Sequence, residues 1–163
     1  MTALAYYSSP ISLLEVVCTD LGIREINFVA RQRHEPTADP PELLSQCVAQ
    51  LDEYFHGRRK RFDVPLDLSA GTEFYREVWR LVRAIPYGRT RSYSAIAETL
   101  GRPQASRAVG QANGRNPIPI IIPCHRVIGK DGGLTGYAYG LDIKEALLSI
   151  ENPKKFAHQT ALW

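Results

Sequence analysis

Apolar positions follow different patterns in the two halves of this chain. In the first half, two apolar-rich runs between Ile11 and Ala30 flank the turn-forming residues 20–22, Asp-Leu-Gly, which predicts a β-hairpin. Apolar residues then recur at helical spacing from Leu44 to Phe55, which predicts a helix. Asp39, with Glu42 three positions later, is predicted to cap the start of that helix.

The second half carries short helical stripes separated by turn residues. Thr72 is predicted to cap a helix that stops at Pro86, and Ser92 to cap a helix that stops at Gly101. A third helix, rich in Ala, Gly and Ser, is predicted over residues 104–113. Two short helices joined by a tight turn are typical of a helix-turn-helix.

These patterns predict an α/β protein with two domains. Residues 1–70 would form a small antiparallel sheet with a helix, and residues 71–163 a mostly helical domain that contains the helix-turn-helix, a motif typical of DNA-binding proteins. The charge changes at the same boundary, because residues 1–70 carry seven Lys and Arg against ten Asp and Glu, whereas residues 71–163 carry thirteen against seven. A localised basic surface is typical of polyanion-binding proteins, although it also occurs on proteins that bind none.

Composition narrows the class of protein. The chain has 163 residues, of which 44% are apolar and 23% charged, so it can bury a stable hydrophobic core without disulfide bonds or structural metal ions. It shows neither an apolar run long enough to span a membrane nor a signal-peptide pattern, so we expect a cytoplasmic protein that does not bind membranes. Three cysteines at unpaired spacings predict free thiols, with Cys18 and Cys47 as small buried residues.

The third helix of the second half differs from most helices that read base edges, because its residues are mostly small. Arg107 is its one long cation. A smooth helix face allows close approach to a DNA groove, with Arg107 occupying the space left by a displaced base. Alternatively, the helix packs tightly within its own domain, and spacing alone leaves both interpretations open.

The most informative segment chemically is residues 116–127, Asn-Pro-Ile-Pro-Ile-Ile-Ile-Pro-Cys-His-Arg-Val. Its three prolines predict a rigid, buried, non-helical lead-in to Cys124. A cysteine is nucleophilic as a thiolate, which a nearby base or cation promotes, and His125 and Arg126 are candidates. Neighbouring side chains of an extended segment point in opposite directions, so His125 would reach Cys124 through a water. The alternative is a buried, inert cysteine.

A last helix is predicted to start with a capping box at Asp142 and Glu145 and to end at the Asn-Pro pair that follows Glu151. Glu151 then lies in the final turn, where an anion opposes the helix dipole. A carboxylate can orient a histidine and make it a stronger base, so Glu151 is a candidate partner for His125. Such a relay would lower the pKa of Cys124 below the free value of about 8.5. The alternative is a solvated surface residue.

Several ordered motifs between Phe74 and Asn152 resemble those of the O6-alkylguanine-DNA alkyltransferases. They are, in chain order, Ile-Pro-Tyr-Gly at 85–88, Ser-Tyr at 92–93, Arg-Ala-Val-Gly at 107–110, Asn-Pro at 116–117, Pro-Cys-His-Arg-Val at 123–127, Gly-Tyr at 136–137, Lys-Glu at 144–145 and Leu-Leu at 147–148. Non-catalytic relatives carry tryptophan at the nucleophile position. This chain has Cys124 there, so it resembles the active class.

The resemblance implies catalytic roles for individual residues. Cys124 would accept the alkyl group, with His125, a water and Glu151 as the relay that ionises it. Asn116 would be the hinge before the active-site loop, and Tyr93 would hydrogen-bond N3 of a flipped guanine.

The resemblance also implies a base pocket and a set of DNA contacts. The pocket would contain Tyr137, Pro119 and Val127, whose carbonyl would accept from the exocyclic amine of the base. Ala138 stands where many relatives have serine, so only its backbone N–H would recognise the oxygen. Arg107 would fill the gap left in the duplex, and the other implied DNA contacts are Ser94, Arg102, Ala105, Ser106, Ala108, Gly110 and Lys130.

The implied activity is DNA repair. An alkyl group would move irreversibly from O6 of guanine, with O4 of thymine as a second candidate, to the cysteine, one base per protein molecule. The expected partner is double-stranded DNA carrying alkylated guanine, bound by a monomer or with cooperative self-association. We expect no cofactor, and no metal because Cys18, Cys47, His34 and His56 do not reproduce the zinc ligands of some relatives. A thiol hydrolase and a non-catalytic lesion-binding protein are the alternatives.

Overall fold

The computed structural model describes residues 1–160. Contacts divide the chain into two compact units, residues 1–70 together with 117–119, and residues 71–116 together with the chain from residue 120. The sequence predicted a single boundary between residues 70 and 71. It did not predict that residues 117–119 belong to the first unit. There the Ile26 N–H donates to the Pro117 carbonyl at 2.9 Å. Within the described part of the chain, no helix is both long enough and apolar enough to cross a bilayer.

The first unit is built on a three-stranded antiparallel sheet in the order β1-β2-β3. Its strands are β1 (Ala3–Ser8), β2 (Leu13–Cys18) and β3 (Ile23–Val29). The predicted hairpin is confirmed as β2 and β3, in which Leu14 lies opposite Phe28 and Val16 opposite Ile26. Strand β1 was not predicted, because its Ala and Ser residues have little intrinsic preference for strands.

A single helix, α1 (Glu42–Phe55), packs against this sheet with its apolar stripe buried. The predicted helix is confirmed, but its predicted cap is wrong. Pro41 occupies the N-cap position and no side chain caps the first turn. Proline already has a φ close to the helical value, so the chain enters the helix without help from Asp39. Cys47 in α1 and Cys18 in β2 are buried and free, as predicted.

Three helices begin the second unit: α2 (Glu73–Arg83), α3 (Tyr93–Thr99) and α4 (Ser106–Gly114). The predicted caps of the first two are confirmed. The side-chain oxygen of Thr72 accepts from the Tyr75 N–H, and that of Ser92 accepts from the Ala95 N–H, both at 3.1 Å. Helices α3 and α4 are the two helices of the predicted helix-turn-helix.

Helix α4 buries one face and exposes the other. Val109 and Ala112 are buried, and Trp79 of α2 donates through Nε1 to the Ala112 carbonyl at 2.8 Å. Arg107 and Ala108 are exposed. The two interpretations of this small-residue helix therefore apply to different faces, with close packing inside the unit and an exposed cation outside it.

The rest of the second unit contains the short parallel pair β4 (Arg91–Ser92) and β5 (Val127–Ile128), followed by α5 (Leu141–Glu151) and α6 (Pro153–Thr160). The predicted capping box at Asp142 and Glu145 is wrong. Gly140 is the N-cap of α5, with a φ of 104°, and no side chain caps the first turn. Helix α6 was not predicted, because Pro153 was interpreted only as a stop, whereas proline is also favoured at the first position of a helix.

Candidate active site

The lead-in to Cys124 is non-helical and largely buried, as predicted. Ile120 adopts a φ of 75°, a left-handed conformation that costs free energy for a β-branched residue. Ile120 is 1% exposed, so the surrounding core holds it in this conformation. One turn of 3₁₀ helix, Cys124–Arg126, follows directly.

Two asparagine amides fix the main chain around Cys124. Asn116 donates through Nδ2 to the Ile122 carbonyl at 2.7 Å. Asn113, in the last turn of α4, donates through Nδ2 to the Cys124 carbonyl at 3.2 Å. The main chain of the candidate nucleophile is therefore held from the C-terminal end of α4.

Cys124 lies in the wall of a cavity of about 270 Å³. The predicted site residues that line it with Cys124 are Tyr93, Gly110, Asn116, Tyr137 and Ala138. Two residues predicted for the base pocket are buried but do not line this cavity, namely Val127 and Pro119. The Val127 carbonyl accepts from Lys144 Nζ at 2.7 Å, and Pro119 belongs to the segment grouped with the first unit.

Cys124 is 3% exposed, and its Sγ lies 3.3 Å from the Tyr137 hydroxyl oxygen. Burial raises the pKa of Cys124 above that of a free cysteine, against smaller lowering effects of the Tyr137 and Asn116 hydrogen bonds and the Lys144 charge. The predicted fall in this pKa is therefore wrong for the protein alone. The free-energy cost of removing a thiolate from water exceeds the stabilisation that these groups give to it. The thiol is protonated in the resting protein.

His125, the residue after Cys124, forms a buried pair with Glu151, in which Nε2 and Oε2 lie 2.7 Å apart. Burial lowers the pKa of His125 below its ordinary value despite the opposing effect of Glu151, so the ring is neutral at neutral pH. A neutral ring that donates Nε2–H to a carboxylate carries its lone pair on Nδ1. Among residues 1–160, this buried Nδ1 has no hydrogen-bond partner. The ring therefore has its unprotonated nitrogen available as a base.

Arg126, which the sequence offered as a cation for the thiolate, instead binds Glu151. Its Nε lies 2.8 Å from Oε1 and its Nη2 lies 3.0 Å from Oε2, while Nη1 donates to the Ile85 carbonyl at 2.6 Å. Burial alone would raise the pKa of Glu151, but the charges and hydrogen bonds of His125 and Arg126 outweigh it and hold this pKa well below the usual range. Glu151 is thus an ionised partner for His125 at neutral pH.

Lys144 is a residue that sequence reasoning named only as part of a motif. It is fully buried, and its Nζ donates to the carbonyls of Val127 and Gly136, at 2.7 and 3.3 Å. Burial lowers the pKa of Lys144 to about 8. Its sequence signal is its position three and four residues before Leu147 and Leu148, on the apolar stripe of α5.

The residues predicted to contact DNA lie around α3 and α4, apart from one. Arg102, Arg107 and Ala108 are exposed, and Ser94, Ala105, Ser106 and Gly110 are half-buried. Lys130 is exposed but lies in the loop after β5. The structure thus places most of the predicted DNA contacts on α3, on α4 and in the turn between them, and Lys130 on a different element.

The residues considered as zinc ligands do not form a cluster. Within the described part of the chain, no three His, Cys, Asp or Glu side chains lie close enough together to hold a metal ion. Cys18 and Cys47 are buried free thiols, and His56 Nδ1 lies 2.8 Å from the Asp52 carbonyl oxygen.

Comparison with known proteins matches both units. Two models of the 6-O-methylguanine DNA methyltransferase family match, the ribonuclease-like domain over residues 3–68 and the DNA binding domain over residues 73–153. The methylated-DNA--protein-cysteine methyltransferase of Methanosarcina acetivorans is 48% identical over 151 residues, which cover 90% of this chain and 96% of that protein. The crystal structure of the Mycobacterium tuberculosis O6-methylguanine methyltransferase has a TM-score of 0.82 and 44% identity, covering 94% of both chains. A crystal structure of Mycobacterium tuberculosis OGT in complex with DNA has a TM-score of 0.81 and 44% identity, covering 91% of both chains.

These matches place the chain in a class of DNA methyltransferases with two domains. The Pro-Cys-His-Arg-Val segment lies in the second, the DNA binding domain. It belongs to the 6-O-methylguanine DNA methyltransferase family, as the motifs indicated. The predicted fold class, an N-terminal α/β part followed by a mostly helical part with a helix-turn-helix, is confirmed.

Proposed function

We propose that this chain repairs DNA by moving an alkyl group from O6 of guanine in double-stranded DNA to Cys124 Sγ, once per protein molecule. The observation that carries this proposal is the buried thiol in the cavity wall, followed directly in the chain by a neutral His125 ring that is paired with ionised Glu151. Family membership supports the same activity. The product thioether is inert, so the protein ends as the alkylated species.

The chemistry balances with the groups present. Sγ attacks the alkyl carbon in line, the C–S bond forms as the C–O bond breaks, and the guanine leaves with its negative charge spread over the ring. The thiol proton passes through a bridging water to Nδ1 of His125, and Glu151 stabilises the imidazolium that forms. Tyr93 would supply a proton or hydrogen bond to N3 of the leaving base. Because the resting thiol is protonated, this proton transfer belongs to the attack itself.

Access to the base requires that it leave the duplex. An alkyl carbon on O6 is unreachable inside stacked DNA, and flipping costs a few kcal/mol, least at a weakened pair. In this proposal α3 and α4 approach the duplex, and Arg107 occupies the space of the extruded base. Arg102 and other exposed cations would contact phosphates, which position the protein without reading sequence.

The direct test is intact mass spectrometry after incubation with a duplex containing O6-methylguanine. The protein mass should rise once, by one methyl group, and the yield should saturate at one methyl per protein molecule. Repeated turnover of the duplex substrate, with the protein released each time at its original mass, would instead support the thiol hydrolase. Tight binding of the duplex with no change of mass would support the lesion-binding protein. Either result would overturn the proposal.

Replacing Arg107 with alanine should slow methyl transfer from duplex DNA by about ten- to a hundred-fold, since the variant loses about 1–3 kcal/mol of support for the flipped state. Reaction with free O6-benzylguanine should change little, because a free base need not be flipped. Single-turnover rates on both substrates measure this.

The matched control for Arg107 is Arg83→Ala, which removes an exposed arginine at the end of α2, outside the helix-turn-helix. We expect this control to behave like the wild type at equal ionic strength. Equal losses on the duplex and on the free base in Arg107→Ala would show that Arg107 has no part in flipping.

A further inference from the structure

Asn113 is a cavity residue to which neither the motifs nor the mechanism assign a role in binding the substrate. Gly110, Asn113 and Gly114, at helical spacing i, i+3 and i+4, place one face of α4 in the cavity wall with Cys124 and Tyr93. Asn113 is only 5% exposed. A buried asparagine side chain needs hydrogen-bond partners for both its amide oxygen and its amide nitrogen.

One end of this amide is satisfied and fixes the orientation of the other. The Cys124 carbonyl can only accept, so the amide atom 3.2 Å from it must be the donor Nδ2. The remaining atom is therefore the acceptor Oδ1. Among the residues that the structure describes, this buried oxygen has no hydrogen-bond partner. A leucine of similar shape would leave no polar atom unpaired.

The substrate chemistry identifies a donor for this oxygen. Alkylation at O6 removes the N1 proton of guanine, and N9 is bonded to the sugar, so the exocyclic 2-amino group carries the only N–H bonds of the base. The amine has two of them. The Val127 carbonyl, which the family resemblance assigns to this amine, already accepts from Lys144 and does not line the cavity.

We propose that Asn113 is a specificity-determining residue, whose Oδ1 accepts a hydrogen bond from the 2-amino group of the flipped alkylguanine. This inference rests on the proposed function. It also gives the site a preference between bases. An O4-alkylthymine has lost its N3 proton and presents no N–H, so it offers Oδ1 no hydrogen-bond donor.

The test compares two duplexes that differ in a single group, O6-methylguanine and O6-methylhypoxanthine, which lacks the 2-amino group. Single-turnover methyl transfer by the wild type should be about five- to tenfold faster for the guanine substrate. In Asn113→Leu this ratio should fall below about twofold, through a loss on the guanine substrate. Asn113→Ala serves as a second variant should the leucine variant not fold, and Gln111→Leu, an exposed amide on the same helix, is the control that keeps the wild-type ratio.

The comparison of two substrates separates specificity from support of the main chain. A variant that slows both substrates equally and keeps the ratio would mean that Asn113 only holds the Cys124 carbonyl, and would overturn the inference. A wild type with equal rates on both substrates would overturn it without any variant. A wild type that methylates itself from neither duplex would overturn the proposed function itself, which is a distinguishable result.

Discussion

Cys124→Ser should lose methyl uptake from O6-methylguanine duplexes by ~10³-fold or more, while its affinity for the duplex stays within about twofold. A serine hydroxyl ionises far less readily than a thiol, and burial of the site already disfavours ionisation of the thiol itself. Serine has nearly the same shape and can still bond the Tyr137 hydroxyl, so the fold should be kept. Intact mass after incubation and a DNA-binding titration at fixed salt measure the two quantities.

The matched controls are Cys18→Ala and Cys47→Ala, since both thiols are buried in the first unit and neither lines the cavity. Both variants should gain one methyl group at the wild-type yield, provided that circular dichroism shows them folded. Methyl uptake by Cys124→Ser at the wild-type rate would assign the acceptor to another residue and remove the basis of the proposed mechanism.

The helices of the second unit were predictable where a local signal specified them. Thr72 and Ser92 cap their helices through bonds to backbone N–H groups three residues away, so the whole interaction lies within one short window of sequence. The predicted caps at Asp39 and Asp142 are wrong for one shared reason. In each case a residue nearer the helix, Pro41 or Gly140, sets the backbone at the start and leaves no place for a side-chain cap.

The individual residues of the candidate site were predictable from the sequence, but the contact between His125 and Glu151 was not. Cys124 and His125 are adjacent in sequence, whereas Glu151 lies 26 positions beyond His125, and spacing alone left it as a surface residue or a partner. Family resemblance proposed the pair, and the structure places the two groups in contact. The role of Arg126 as counter-ion of Glu151 was missed, because an arginine beside a cysteine suggests a direct effect on the thiol.

The direction of the thiol pKa was wrong for a reason that sequence does not contain. The sequence prediction considered only groups that favour a thiolate. The structure does contain such groups, in Tyr137, Asn116 and Lys144. The opposing effect is the depth of burial, which depends on the whole unit. Of the groups that stabilise the thiolate, Tyr137 and Lys144 are distant from Cys124 in the sequence. The sequence shows Lys144 only as a cation on the apolar stripe of a helix.

Glu151→Gln should lower the free energy of unfolding by about 3–5 kcal/mol at neutral pH, because it leaves the buried Arg126 guanidinium without its counter-ion. The folded pKa of Glu151 lies well below its unfolded value of about 4.3, so its contribution to stability is complete above that pH and is lost as the pH falls below it. The difference in stability between wild type and variant should therefore be constant between about pH 6 and 8 and shrink below about pH 4. Urea unfolding at a series of pH values measures it.

Glu151→Gln should also slow methyl transfer, by about tenfold or more, because the carboxylate no longer stabilises the imidazolium formed when His125 takes the thiol proton. The rate profile for alkylation of Cys124 by a small electrophile should shift to higher pH. Glu145→Gln makes the same chemical change at a half-buried position of the same helix, where the glutamate is not the hydrogen-bond partner of His125 or Arg126, and should match the wild type in stability and rate. If Glu151→Gln lost stability but kept the wild-type rate and pH profile, Glu151 would be a counter-ion for Arg126 alone, and the base that accepts the thiol proton would need no carboxylate behind it.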